Sequence, residues 1–171
     1  SDVDAALYYL AKLLLAGDLP SIERRLVAIA YEDIGLGNPA AVARTLEAVD
    51  ASNRIGLPEA KLPLSVAVID LALSPKSKSA AMAVHNAMAY AKFNPHKMPE
   101  YLRLTPINLE EADQYPYDRP DLWHKIQYLP NPIKDKIFYE GQNSSAYETQ
   151  LIKNNQKLKQ TKRSNKLRNI K

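Results

Sequence analysis

The side chains best equipped for chemistry in this sequence are three histidines, two adjacent carboxylate pairs and a run of bases near the C-terminus. His85, His96 and His124 lack the i, i+4 spacing and intervening Glu of a metalloprotease helix, so a metal site would need donors from distant segments. Glu32 with Asp33, and Glu110 with Glu111, are neighbours. On a helix, neighbours point about 100° apart and cannot flank one scissile bond, which makes them solvated or capping carboxylates. With zero Cys there is no thiolate nucleophile, disulfide framework or cysteine-ligated metal. No serine sits in a glycine-framed elbow. The glycines at 17, 35, 37, 56 and 141 leave no phosphate loop. Gly35-Leu36-Gly37-Asn38-Pro39-Ala40 fits G-x-G-x-x-A formally but follows a helical pattern, not a strand. Positive φ at Gly35 and Gly37, ending one helix and starting the next, is the expected reason for them. No motif marks this chain as an enzyme in its own right.

The elements that would position any site read as helices. The chain has 171 residues, 46% hydrophobic and 25% charged, a composition suited to a globular body able to bury about 70% of its unfolded surface. Val3, Leu7, Leu10 and Leu14 share one face of a first helix capped by Ser1 or Asp2 and stopped at Gly17. Asp18 and Pro20 open a second, with Ile22, Leu26 and Ile29 inward. Asn38 and Pro39 open a third, with Val42, Leu46 and Val49 inward, and Gly56 and Pro58 break it. The segment Leu62 to Leu73, beginning near Pro63, is apolar nearly all round, as a helix at the centre of a bundle would be. Ser74 and Pro75 repeat the cap-and-proline signal for an alanine-rich fifth helix running to Phe93. The expected fold is an all-α compact bundle of about five helices over residues 1–94. Its longest apolar stretch, Leu64 to Leu73, is interrupted by Ser65 and Asp70 and is half of what a membrane span needs. The expected setting is therefore a reducing, non-membrane one, and the helix at Ser1 with no secretory pattern suggests a piece excised from a longer intracellular protein.

Seven of the twelve prolines fall between Pro95 and Pro132. Residues 95–150 thus form a second region, Pro- and aromatic-rich, that regular helix cannot cross. Tyr101, Tyr115, Tyr117, Trp123, Tyr128, Phe138 and Tyr139 argue that it is ordered and packs on the helices, with His124 to Leu129 and Lys134 to Tyr139 as two short extended strands. Its six bases and nine acids weigh against these aromatics stacking single-stranded bases. Asn143-Ser144-Ser145 reads as a turn. Residues 151–171 hold Lys153, Lys157, Lys159, Lys162, Arg163, Lys166, Arg168 and Lys171 with no acid. Two readings stand for this basic tail: DNA contact through phosphates, or a solvated, frayed helix with the sparse stripe Leu151, Leu158 and Leu167. At the other end, Tyr8, Tyr9, Leu13 and Leu15 give the first helix more apolar surface than one core needs. A subunit interface or cover by another segment would each account for them.

Several blocks, in order, resemble the C-terminal region of the RarA/MgsA family, replication-associated AAA+ ATPases that include the Werner-helicase-interacting protein of eukaryotes. They are Asp2-Val3-Asp4-Ala5-Ala6-Leu7-Tyr8-Tyr9-Leu10-Ala11-Lys12-Leu13-Leu14 with Ala16-Gly17-Asp18, Arg24-Arg25-Leu26-Val27-Ala28-Ile29-Ala30, Glu32-Asp33-Ile34-Gly35-Leu36, Gly56-Leu57-Pro58-Glu59-Ala60 and Leu71-Ala72-Leu73-Ser74-Pro75-Lys76-Ser77. Tyr101-Leu102-Arg103, Tyr128-Leu129-Pro130, Phe138-Tyr139-Glu140 and Tyr147-Glu148 continue the series. The resemblance implies a collar-like oligomerisation domain that makes the parent a homotetramer. It also implies that ATP and Mg²⁺ belong to an N-terminal module absent from this chain, so no catalytic or cofactor residue carries over. The parent is expected to be a DNA-dependent ATPase of replication, recombination and stalled-fork repair, with replication and repair proteins as partners. Its expected place is the bacterial cytoplasm, at the nucleoid. The alternative is a nucleic-acid-binding helical domain working through the basic tail. The tail is richer in Asn and Lys than the family's usual ending.

Overall fold

The computed structural model describes residues 1–170, and Lys171 of the basic tail lies outside the described residues. Among the described residues, six α-helices account for about half of the chain: α1 (Val3–Leu15), α2 (Leu19–Ile29), α3 (Pro39–Ile55), α4 (Lys61–Leu73), α5 (Ser79–Phe93) and α6 (Ala146–Lys159). There are no strands among the described residues, and the fold is all-α. The caps follow side-chain chemistry. Asp2 accepts from the Ala5 amide, Asp18 from Ser21 and Asn38 from Ala41, each satisfying an amide that the first turn leaves unpaired. Pro20 and Pro39 sit in first turns, where a missing amide costs nothing. Gly17 at φ +77° and Gly56 at φ +68° stop α1 and α3. Between α2 and α3 the chain first widens into a π-turn, Ala30–Ile34, and then tightens into a short 3₁₀ turn, Gly35–Gly37.

The chain forms two compact units. The first comprises residues 1–84 and 139–152. Its core joins Leu10 of α1, Ile22 and Leu26 of α2, Ala30 and Ile34 of the π-turn, Ala41 and Val42 of α3, and Leu64, Val68 and Leu71 of α4. Polar ties fix the register between helices. Arg44 of α3 grips Asp70 of α4 through two hydrogen bonds, 2.7 and 3.1 Å. The buried Glu23 of α2 accepts from Ser52 and Asn53 of α3.

Ser74 and Pro75 do not open the fifth helix. Ser74 ends α4 instead, its hydroxyl donating to the Asp70 carbonyl at 2.6 Å and accepting from Asn38 at 2.9 Å. α5 starts at Ser79, and residues 74–78 form an extended strap. The strap runs along the Gly35–Gly37 turn: the Ser77 amide donates to the Asp33 carbonyl at 2.9 Å, and Lys78 pairs with the Asp33 carboxylate at 2.8 Å. Gly35 takes φ +45°, as the sequence suggests, whereas Gly37 does not have positive φ. Gly37 is required by proximity, since a Cβ there would lie 2.4 Å from the Pro75 carbonyl oxygen.

Glu148 of α6 is fully buried beside this strap. One carboxylate oxygen accepts from the hydroxyls of Ser77 (2.7 Å) and Ser79 (2.5 Å), the other from the Ser144 amide (3.0 Å) and hydroxyl (2.8 Å). Burial by itself would push this carboxyl up, but the hydrogen bonds from Ser79, Ser144 and Ser77 outweigh it and bring it down to about 2. Ser145 begins the helix by accepting from the Glu148 amide at 3.2 Å. Asn143 takes φ +55°, the left-handed turn that asparagine tolerates.

The second unit comprises residues 85–138 and 153–171. The two short strands expected at His124 to Leu129 and Lys134 to Tyr139 are absent. Pro120–Lys125 and Asn131–Ile133 are 3₁₀ turns, and a single parallel bridge pairs Ile126 with Ser164. Pro130 and Pro132, between the two segments, have no amides to pair and fix the connecting turn as 3₁₀, so no hairpin ladder forms. The basic tail is not a frayed helix end. α6 stops at Lys159, and residues 160–170 turn back to form the bridge. Leu167 is thereby 1% exposed in a core with Tyr101 and Ile126.

Two substitutions test these contacts. Gly37→Ala is expected to cost about 1–3 kcal/mol in urea unfolding, because the new methyl meets backbone that cannot step aside. Glu148→Gln is expected to cost about 1–3 kcal/mol near neutral pH by mismatching the four donors around the buried carboxylate. The folded carboxyl titrates below its unfolded value, so its stabilising contribution is complete above about 4.3 and disappears as pH falls through about 2. The gap between native chain and variant should close over that window.

Candidate functional site

Two surfaces, one on each unit, carry the features that function could use. On the first unit, α4 departs from the all-round burial its sequence suggests. Leu64, Ala67, Val68 and Leu71 are buried, but Leu62, Val66, Ile69 and Leu73 are exposed, Val66 by 63%. These four recur at i, i+4, i+7 and i+11 and make one continuous apolar stripe. The neighbouring helices cover only one side of α4, so the other remains in solvent. Tyr8, Tyr9, Leu13 and Leu15 of α1 are likewise exposed, Leu15 by 89%. The two tyrosine rings meet edge to face at 5.6 Å, and Lys12 stands over the Tyr8 ring at 5.8 Å.

An open groove of about 490 Å³ runs between α1, α2 and α4, with Tyr9, Leu13, Ile29 and Val68 among its walls. Two lysines on its rim are structurally committed. Lys76 donates to the Leu71, Ala72 and Ser74 carbonyls at the end of α4. Lys78 is held by Asp33, whose hydrogen bond and charge raise the ammonium pKa. No group of three or more metal-ligating side chains occurs among the described residues, and His85, His96 and His124 do not converge on a shared ligand set.

On the second unit, Lys153, Lys157 and Lys159 are exposed along α6, and Lys162, Arg163 and Lys166 are exposed on the returning segment. Arg168 differs from the rest. Its guanidinium donates to Asp113 and, at 2.9 Å, to Glu110, and these carboxylates raise its pKa above the ordinary value. Arg168 therefore fastens the tail to Glu110 and Asp113. The carboxylate pair Glu110–Glu111 thus has one member acting as an anchor. Sequence reading gave no partner to these acids, because 58 residues separate Glu110 from Arg168.

The sequence matches, over residues 1–159, the family described as MgsA AAA+ ATPase C terminal. It is 42% identical over 160 residues to replication-associated recombination protein A of Bacillus subtilis (strain 168), covering 88% of this chain and 38% of that protein. The corresponding Escherichia coli (strain K12) protein is 37% identical over 145 residues, 80% of this chain and 32% of that one. ATPase WRNIP1 of Dictyostelium discoideum is 32% identical over 149 residues, 82% of this chain and 17% of that protein. The chain belongs to the RarA/MgsA family and corresponds to its C-terminal region. It spans well under half the length of these relatives. No helix among the described residues is long and apolar enough to cross a membrane.

If Arg168 fastens the tail, Arg168→Glu places a third acid beside Asp113 and Glu110 and should open that end of the unit. Amide hydrogen exchange at Gln127 and Ser164, which donate across the bridge at 3.0 and 2.8 Å, is expected to accelerate. Exchange in α3 and α4 should stay as it is.

Proposed function

We propose that this chain is the assembly module of an AAA+ ATPase acting in DNA replication, recombination and the repair of stalled forks. It holds four copies of the parent together while ATP and Mg²⁺ are handled by an N-terminal module outside this chain. The supporting observation is the exposed stripe Leu62, Val66, Ile69 and Leu73, accompanied by the exposed Tyr8, Tyr9, Leu13 and Leu15. A stable monomer gains nothing by presenting a whole helical stripe of large aliphatic side chains to water, whereas a self-complementary contact buries them. Each such side chain removed from water contributes roughly 1.5–3 kcal/mol, so a few per subunit suffice for a lasting contact. The relatives' names, replication-associated recombination protein A and ATPase WRNIP1, support the ATPase and replication part of this reading.

The measurement is static light scattering on the chain at micromolar concentration. The expected mass is about four times the 19.2 kDa protomer. Val66→Lys combined with Leu73→Lys should leave the helical circular dichroism intact and weaken assembly at least tenfold, since about 1.4 kcal/mol per protomer contact is enough for that. A chain that stays at 19.2 kDa before any substitution would overturn the proposal.

A further inference from the structure

The second unit gathers charge and aromatic surface that lie apart in the sequence. Residues 85–138 and 153–171 together hold 15 Lys and Arg against 7 Asp and Glu, a net charge of +8, whereas residues 1–84 and 139–152 hold 8 against 12. Folding thus places Glu140 and Glu148 in the other unit and gives the Pro- and aromatic-rich stretch the basic tail in their stead. Four of the seven acids that remain are held by arginines: Glu100 by Arg103, Asp121 by Arg119, and Glu110 and Asp113 by Arg168. The exposed lysines appear in none of these ion pairs.

The same unit contains a groove of about 400 Å³ whose walls include Tyr90, His96, Tyr128 and Phe138. Tyr90 and the exposed His96 lie nearly parallel, their ring centroids 6.4 Å apart at an interplanar angle of 27°. Phe138 supports Tyr90 edge-on at 5.8 Å, and Lys136 places its ammonium over the Tyr90 ring at 4.6 Å. The tail runs beside the opposite wall. Ser164 donates to the Lys125 carbonyl and accepts from the Gln127 amide, and Asn165 donates to the Asn131 side chain at 3.0 Å, so Lys162 and Arg163 flank the stretch bearing Tyr128 and Pro130. Burial and the Tyr115 hydroxyl push the Tyr128 phenol up, while the positive charge of Arg163 pulls the other way. Of the nearby acids, Glu100 is already engaged by Arg103 and the Ile107 amide, and the exposed Asp135 lies between Lys134 and Lys136.

A flat aromatic pair with a cation poised over one ring, on a unit whose charge excess is positive, is the combination that binds single strands without sequence preference. We propose that this unit binds single-stranded nucleic acid, with bases stacking in the groove on Tyr90 and His96 and phosphates meeting Lys136, Lys162 and Arg163. A duplex keeps its bases stacked on each other and cannot present their faces to the groove. The charge excess selects a polyanion over a proline-rich peptide, the other ligand that aromatic grooves accept. The site uses none of the residues assigned to subunit assembly.

The test is fluorescence anisotropy with fluorescein-labelled oligothymidylate, run beside oligouridylate and a duplex of the same length. Salt-sensitive binding to the single strands, tighter than to the duplex, is expected, and the two single strands distinguish a DNA from an RNA preference. His96→Ala, at an exposed ring, should weaken binding about tenfold, the equivalent of about 1.4 kcal/mol of stacking. Lys162→Ala with Arg163→Ala should lower the slope of log affinity against log salt by about 1.4, two contacts at about 0.7 each. Repeating the titration on the Val66→Lys, Leu73→Lys chain separates this site from assembly, because binding there supports the proposal whatever the oligomeric state. No binding at low salt, equal affinity of both site variants and the native chain, or tighter binding to the duplex would each overturn it.

Discussion

The first unit is organised around one ionised carboxylate with no access to water. A buried charge is tolerated only when its lone pairs are filled, and Glu148 fills them with Ser77, Ser79 and Ser144. To reach those donors, the chain between α4 and α5 must stay extended, which sets where α5 begins. The strap must then lie against the turn after the π-helix, which leaves no room for a side chain at Gly37. Residues 139–152 consequently belong with the N-terminal helices although more than fifty residues separate them in the chain. A buried hydrocarbon contact would hold these segments together too, but it would not dictate the path of the strap atom by atom.

Helical periodicity made much of this fold legible in the sequence. The caps at Asp2, Asp18 and Asn38, the stops at Gly17 and Gly56, and the inward stripes of α1 and α2 follow from local rules that operate within a few residues. Ser74-Pro75 misled because a serine can satisfy the end of one helix as well as the start of the next, and only the Asn38 partner decides. α4 misled because composition counts apolar side chains without saying how many neighbours exist to cover them. A short signature was present but unused: Ser145-x-x-Glu148 is the pattern of a helix start, and it marks the very glutamate that ties α6 into place.

The candidate surfaces were legible in part. Tyr8, Tyr9, Leu13 and Leu15 stood out as surplus to a single core, and all four are exposed. The charge arithmetic behaved differently. Adding acids and bases along a continuous stretch made the aromatic region look repulsive to phosphate, yet the fold cuts that stretch at residue 138 and splices the tail onto it. Net charge belongs to a surface, and a surface is assembled from segments that the sequence separates. Arg168 makes the same point in reverse, since a residue counted as available cation is neutralised by carboxylates from another part of the chain.

The strap of residues 74–78 carries one more consequence. Ser74 is tied to Asn38, Pro75 lies on Gly37, the Ser77 amide reaches the Asp33 carbonyl, and Lys78 bonds both Asp33 and Gln142. A segment fastened at nearly every residue has no slack. An insertion or deletion of even one amino acid would swap inward for outward side chains along its extended run and pull Ser77 away from the glutamate. The strap is an inextensible tether, and its residue count does as much as its chemistry to hold Ser77 on the glutamate.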